Sequence, residues 1–233
     1  MDAREPGDAA QRSSTRELVL ARLRSARDAG APSSPVVVPR NYRPAGRYAP
    51  GGEQAVARLD ETLTDYRATV VRVAAEADVP TAVAAFLEAA TGIVVPPGLP
   101  DAWLAAFSGE VHRDSPPLSV DALDHLDAVV TGAAVAVADT GTFVLDSGSP
   151  DQGRRVITLV PDHHVCVIRA ADVVCSVPEA IARLDPSRPL TFVSGPSATS
   201  DIELDRVEGV HGPRRLDVVL VGALRAVEHS MRV

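Results

Sequence analysis

Strand-length runs dominated by valine alternate with alanine-rich helical segments from residue 53 onward, and this alternation constrains the fold more than any other feature. A helix through EQAVARLDETLTDY leads to a strand at Thr69–Val73, and a second helix, from Pro80 to Ala90, leads to a strand at Ile93–Pro97. DAWLAAF reads as a short helix and Glu110–Ser115 as a strand. SVDALDHL then opens on Ser119, an N-cap hydroxyl ahead of acidic residues, as a helix start requires. Short apolar runs rich in β-branched residues suit strands buried on both faces, and strand–helix alternation at this spacing is what a parallel α/β sheet produces.

From Ala128 the texture changes. AVVTGAAVAVADTGTFVLDSG and RRVITLVPDHHVCVIRAADVV read as strands broken by Gly, Asp and Ser turns; a helix starts at Ser176, and LTFVSG is a strand at Leu190–Gly195. The last strand, Leu216–Gly222, is expected to close the sheet. The expected fold is therefore α/β, an open and mostly parallel sheet flanked by helices. Aromatic residues are only 3% of the chain, so its core must be built from Val, Ala and Leu. The 45% hydrophobic content is enough to bury one.

The segment 1–52 differs in texture from the domain expected at 53–233. Met1–Ser14 reads as lacking regular structure. Thr15–Ala29 places Val19, Leu20, Leu23 and Ala26 on one stripe of a helix stopped by Gly30. Ala31–Gly52 holds too many prolines for a helix and reads as an extended arm. The alternative is a mobile linker, but the pairs Tyr42–Arg43 and Arg47–Tyr48 suit an arm docked over the domain, or over a second copy in a homo-oligomer.

A net charge of −8 argues against nucleic acid as the main partner, since phosphate binding needs a basic stripe. No apolar run reaches the roughly 20 residues a membrane helix needs, so no membrane partner is expected. The polar, mixed-charge opening reads as no secretory signal, and a cytoplasmic location is expected. In that compartment the two cysteines, Cys166 and Cys175, are expected as buried thiols. Two thiolates cannot hold an iron–sulfur cluster unaided.

Three loops at predicted strand ends carry the polar chemistry, and ligands of open α/β sheets sit in crevices at the carboxyl ends of strands. In ADTGT, Asp139, Thr140 and Thr142 flank Gly141. In SGPSATSDIE, Gly195 and Pro196 break the strand, after which Ser197, Thr199 and Ser200 supply hydroxyls and backbone N–H groups ahead of Asp201. Such a loop can cradle a phosphate or carboxylate. In GVHGP, His211 stands beside Gly212 on a turn. Arg154 and Arg155 could neutralise an anion, or form a solvated strand end. His163 and His164 are adjacent on a strand, so they face opposite sides and cannot chelate one ion; no metal site is expected. Nucleotide-binding glycine motifs and the G-x-S-x-G of hydrolases are absent from the sequence.

TGAAVAVADTGTFVLDSG, RRVITLVPDHHVCVI and SGPSATSDIELDRVEGVHGPRRLDVVLVG, in this order, resemble the defining run of the LUD (lactate-utilisation) family. PRNYR, 39–43, looks like the arm of that family's protein C branch. The resemblance implies a fold similar to that of sugar-phosphate isomerases and CoA transferases (NagB/RpiA-like). It also implies a place in a three-part system that oxidises L-lactate to pyruvate, with iron–sulfur clusters on partner proteins and no cofactor on this chain. Asp139 departs from the family pattern, where Glu is expected in many relatives.

Besides a purely structural role, in which the polar loops dock a partner subunit and no small ligand binds, two functional readings follow. In one, the chain is a substrate-binding or accessory subunit: Ser197, Thr199 and Ser200 bind a small carboxylate or phosphate, and His164 or His211 moves a proton. In the other, it is a stand-alone enzyme of the CoA-transferase or sugar-phosphate isomerase kind, with Asp139 as nucleophile or base.

Overall fold

The computed structural model describes residues 7–30, 37–39, 41–42, 45–197 and 212–222, with side chains from residue 15 onward. The chain divides into two units, Met1–Tyr42 and Arg43–Val233. In the first, helix α1 spans Gly7–Ala29. It begins ahead of the expected Thr15, because Ala9, Ala10, Gln11 and Arg12 are strong helix formers. Part of the stretch expected to lack regular structure is therefore helical. Val19 and Leu23 on its expected apolar stripe are exposed.

The second unit is built on a six-stranded, all-parallel sheet. Its order is β1 (Thr69–Val73), β10 (Arg215–Val221), β7 (His163–Arg169), β4 (Ala128–Thr131), β2 (Gly92–Val95), β3 (Glu110–Arg113). The last of the described strands thus lies inside the sheet, between β1 and β7. Its run LDVVLV is buried throughout, as an interior strand covered on both faces must be. A second sheet of four strands has the order β8 (Val173–Val174), β5 (Val135–Val137), β6 (Thr142–Asp146), β9 (Leu190–Val193).

Side chains alternate across β7 and β10 and divide the core in two. Val165, Val167, Val219 and Val221 point to the face covered by helix α3 (Val79–Phe86) and by Trp103. Cys166, Ile168, Val218 and Leu220 point the other way, against helix α2 (Glu53–Asp65) and Phe143 of the small sheet. The far side of the small sheet is closed by helix α5 (Val177–Ile181), through Ala180 on Val135, Val144 and Val174. Each fully buried Leu or Val contributes about 2 kcal/mol relative to exposure, so this two-sided core is the main source of stability.

Residues 45–52 of the expected arm belong to this unit: Gly51 N–H donates to Val173 O at 2.8 Å, and Tyr48 packs on the α2-side core.

RRVITLV is not a strand. Arg155–Thr158 forms a single 3₁₀ turn, and Ile157 plugs a small cluster with Val94, Val129 and Leu123 of helix α4 (Val120–Asp124). Both edges of β7 are already taken by β4 and β10, so the β-branched residues before it have no ladder to join. Packing overrides their strand propensity here.

Candidate functional site

His163 and Arg215 are the first residues of β7 and β10 and lie opposite each other in register. The polar loop after β9 is drawn to this same end. Ser197 N–H donates to Pro213 O at 2.8 Å, joining the chain just past β9 to the chain just before β10. The result is a cleft of about 200 Å³ walled by Thr191–Ser197 on one side and by Arg155, Thr158, Gly212 and Pro213 on the other, with His164 and Leu216 beneath. The loops were expected at the carboxyl ends of the strands. Within the six-stranded sheet, the cleft instead sits at the amino ends of β7 and β10; only β9 approaches it by its carboxyl end.

The structure brings five of the sequence-predicted residues together on this cleft: Arg155, His164, Gly195, Ser197 and Gly212. Gly195 has φ +80°, and a Cβ added there would stand 2.7 Å from Tyr66 O at the end of α2, so the turn needs glycine twice over. Thr199, Ser200, Asp201 and His211 lie outside the described residues.

The ADTGT loop sits behind the cleft rather than in it. Gly141, φ +57°, packs on the backbone of Thr62 in α2, where a Cβ would come within 2.9 Å. Asp139 is exposed, with its N–H bonded to Cys175 O at 3.0 Å, and does not line the cleft. Thr140 and Thr142 reach it at one remove: Thr140 Oγ1 donates to Thr142 Oγ1 at 2.9 Å, and Thr142 shares a 2.7 Å hydrogen bond with Ser194 Oγ. Ser194 itself lines the cleft, and the sequence signal for it is its place directly before the strand-breaking Gly195.

The two arginines part company. Arg154 binds Asp114 at two points, Nε to Oδ2 at 2.6 Å and Nη2 to Oδ1 at 2.8 Å, and is committed to the scaffold. Arg155 reaches the cleft wall, where Nη1 donates to Thr158 O and Oγ1 at 2.8 and 3.0 Å. Burial draws its guanidinium below its usual value, yet an arginine stays a cation in a protein. It supplies the cleft's positive charge.

His163 and His164 face opposite sides of the sheet, as adjacent strand residues must. His163 Nε2 bonds Asp217 Oδ2 at 2.8 Å on the α3 side. His164 is 2% exposed, sits edge-on to the Phe143 ring at 5.8 Å, and its Nε2 lies 2.8 Å from Thr131 Oγ1. Burial, reinforced by the charges of His163 and Arg155, lowers its pKa to about 3. It is therefore a neutral hydrogen-bonding group at physiological pH, too weakly basic to retain a proton taken from a substrate. Burial also pushes the Cys166 thiol up, so it stays protonated. Among the described residues no group of three metal-ligating side chains could hold an ion, and no helix is long and apolar enough to cross a membrane.

A cation, serine hydroxyls and a neutral imidazole around one cleft can bind a small anion and orient it. The stretch that contributes every one of these groups, from Arg155 to Leu216, falls inside residues 100–221, which match the family model described as LUD domain. The chain belongs to the LUD domain family. It is 49% identical over 169 residues to a Lactate utilization protein C of Deinococcus radiodurans, covering 71% of this chain and 78% of the relative. A Lactate utilization protein C of a Geobacillus species is 30% identical over 112 residues, a match spanning less than half of either protein (44% and 45%). A solved structure of a DUF162 family protein from Deinococcus radiodurans superposes with a TM-score of 0.62 at 39% identity, covering 72% of this chain and 97% of its own. The LUD domain here therefore places Ser194–Ser197 and Gly212 around one cleft but leaves its Asp139 turn outside it.

Proposed function

We propose that this chain is a small-carboxylate-binding component of a lactate-utilisation system, acting with partner proteins that carry the iron–sulfur clusters. Relatives named Lactate utilization protein C support the pathway. The cleft supports the binding role: Arg155, Ser194 and Ser197 converge on a space of about 200 Å³, enough for a short organic acid. The convergence of Arg155 with the Ser194–Ser197 loop is the observation that carries this reading. A guanidinium and hydroxyls recognise a carboxylate through charge-assisted hydrogen bonds. Cys166 and Cys175, both free and buried, remain structural thiols in this scheme.

Titration calorimetry of the full chain with L-lactate tests it. Saturable heat is expected at millimolar ligand, weakened about tenfold or more in Arg155→Gln, because a charged hydrogen-bond partner is lost. Absence of any heat would remove the binding role. Affinity capture with the tagged chain is expected to retain a cysteine-rich partner.

A further inference from the structure

Beneath the cleft three buried side chains form a series. His164 Nε2 lies 2.8 Å from Thr131 Oγ1; Thr131 Oγ1 lies 3.9 Å from Cys166 Sγ; and Cys166 Sγ lies 3.6 Å from the carbonyl oxygen of Gly132. A carbonyl only accepts, so the last bond has one sense, with the thiol donating to Gly132. The sulfur is then left to accept from the Thr131 hydroxyl, and the Thr131 oxygen to accept from His164 Nε2–H. Every donor in the series has an acceptor. The opposite sense would turn Thr131 toward the ring and put the imidazole proton on Nδ1, as an N–H donor beside the Arg155 cation, whose charge acts on this ring. A donor facing a cation is the poorer arrangement.

From this geometry we infer that His164 presents the unprotonated Nδ1 to the cleft, as a hydrogen-bond acceptor, and that the site therefore selects an acid carrying a hydroxyl over the corresponding oxo acid. The inference rests on the carboxylate-binding reading and refines it. With the carboxylate drawn to Arg155, a hydroxyl group can donate to Nδ1. A ketone oxygen has no proton to give and would set two acceptors against each other. Because burial and the neighbouring charges keep the ring neutral, this preference persists across the physiological pH range. His164 is thus a specificity-determining residue rather than a base, and Thr131 and Cys166 are positioning residues that act through it.

Three probes separate the outcomes: L-lactate, pyruvate and propionate, each titrated into the full chain by calorimetry. L-lactate is expected to bind at least about tenfold more tightly than either of the others, since a buried acceptor left without a donor is costly. In His164→Leu the three acids are expected to converge on the affinity of propionate. Pyruvate binding as tightly as lactate would overturn the inference while leaving the carboxylate site intact; silence from all three acids would overturn both. Should the leucine variant fail to fold, long-range ¹⁵N–¹H correlation spectra of the wild-type histidines decide the tautomer directly. The Nε2–H form of His164 is expected at neutral pH, and a proton on Nδ1 would contradict the proposal.

Discussion

Arg154 grips the buried carboxylate of Asp114 at two points, and this pair decides which of two consecutive arginines faces the cleft. Asp114 lies at the end of β3 and Arg154 just ahead of the 3₁₀ turn, so the bond ties the sheet edge to the segment that delivers Arg155. A third bond, from Arg154 Nη2 to Leu118 O at 2.6 Å, completes the anchor. With Arg154 locked outward, its neighbour turns inward.

Removing that anchor is expected to destabilise the fold. Arg154→Ala leaves the Asp114 carboxylate, 4% exposed, without its cation. Because Arg154 itself is 39% exposed, the loss is expected near the lower end of the range for broken buried pairs, about 2–3 kcal/mol in urea unfolding. A loss under about 0.5 kcal/mol would show that the pair is solvated and does not position Arg155.

Stability should fall with acid earlier than carboxylates alone dictate. The folded value of His164, about 3, lies below its ordinary 6.5, so the unfolded chain takes up this proton first. The stabilising effect of the neutral ring is complete above pH 6.5. It is lost as the pH falls from there toward 3, at up to about 1.4 kcal/mol per pH unit. His164→Leu is expected to flatten this limb between pH 7 and 5. For Asp114, burial alone would raise the carboxyl, but the bonds from Arg154 and the Leu118 N–H outweigh it and hold it below its usual 3.8. Its contribution is thus intact above 3.8 and disappears only as the pH drops through the lower folded value. An Asp114→Asn variant should lose this contribution at every pH above 3.8 and lose only the last part of the acid slope, and equal slopes for wild type and His164→Leu would refute the assignment for the ring.

Gly195 is predicted to tolerate no side chain. Its φ of +80° and the 2.7 Å approach of a Cβ to Tyr66 O act together, so Gly195→Ala is expected to cost about 2 kcal/mol or more and to shift the Ser194–Ser197 wall. Thermal melting reads the first effect and lactate affinity the second. An alanine variant with unchanged melting and binding would show that α2 can yield.

Thr142→Val removes the hydroxyl that meets Ser194 at 2.7 Å while keeping the buried volume. A several-fold drop in lactate affinity is expected, with stability reduced by about 1 kcal/mol. Asp139→Asn, on an exposed turn away from the cleft, should leave affinity unchanged. A strong effect of Asp139→Asn together with none of Thr142→Val would move the site to the ADTGT turn.

Much of this arrangement is legible in the residues alone. Val-rich runs marked β1, β2, β4 and β10, and Ser119 marked the start of α4, where its hydroxyl accepts from Ala122 N at 3.1 Å. The adjacency of His163 and His164 already put them on opposite faces of β7. What could not be read was the placement of β10 between β1 and β7, because strand order depends on contacts distant in sequence. That placement puts the Gly195 and Gly212 bends at the amino ends of the parallel strands and leaves Gly141 against α2. The setting of Arg155, though not its charge, was also beyond reading: Val156 and Ile157 advertise a strand, and only the occupied edges of β7 turn the segment into a 3₁₀ turn. Arg154 and Arg155 look equivalent until the carboxylate of Asp114, distant in sequence, claims one of them.

The most direct test of a carboxylate site at the amino ends of β7 and β10 is a map of amide chemical-shift changes in the full chain on adding L-lactate. The largest shifts are expected at Ser194–Ser197, Gly212, His164 and the Arg155–Thr158 turn, all within the cleft wall, and are expected to vanish in Arg155→Gln. Shifts centred on Asp139 and Cys175, or unchanged by loss of Arg155, would contradict the account.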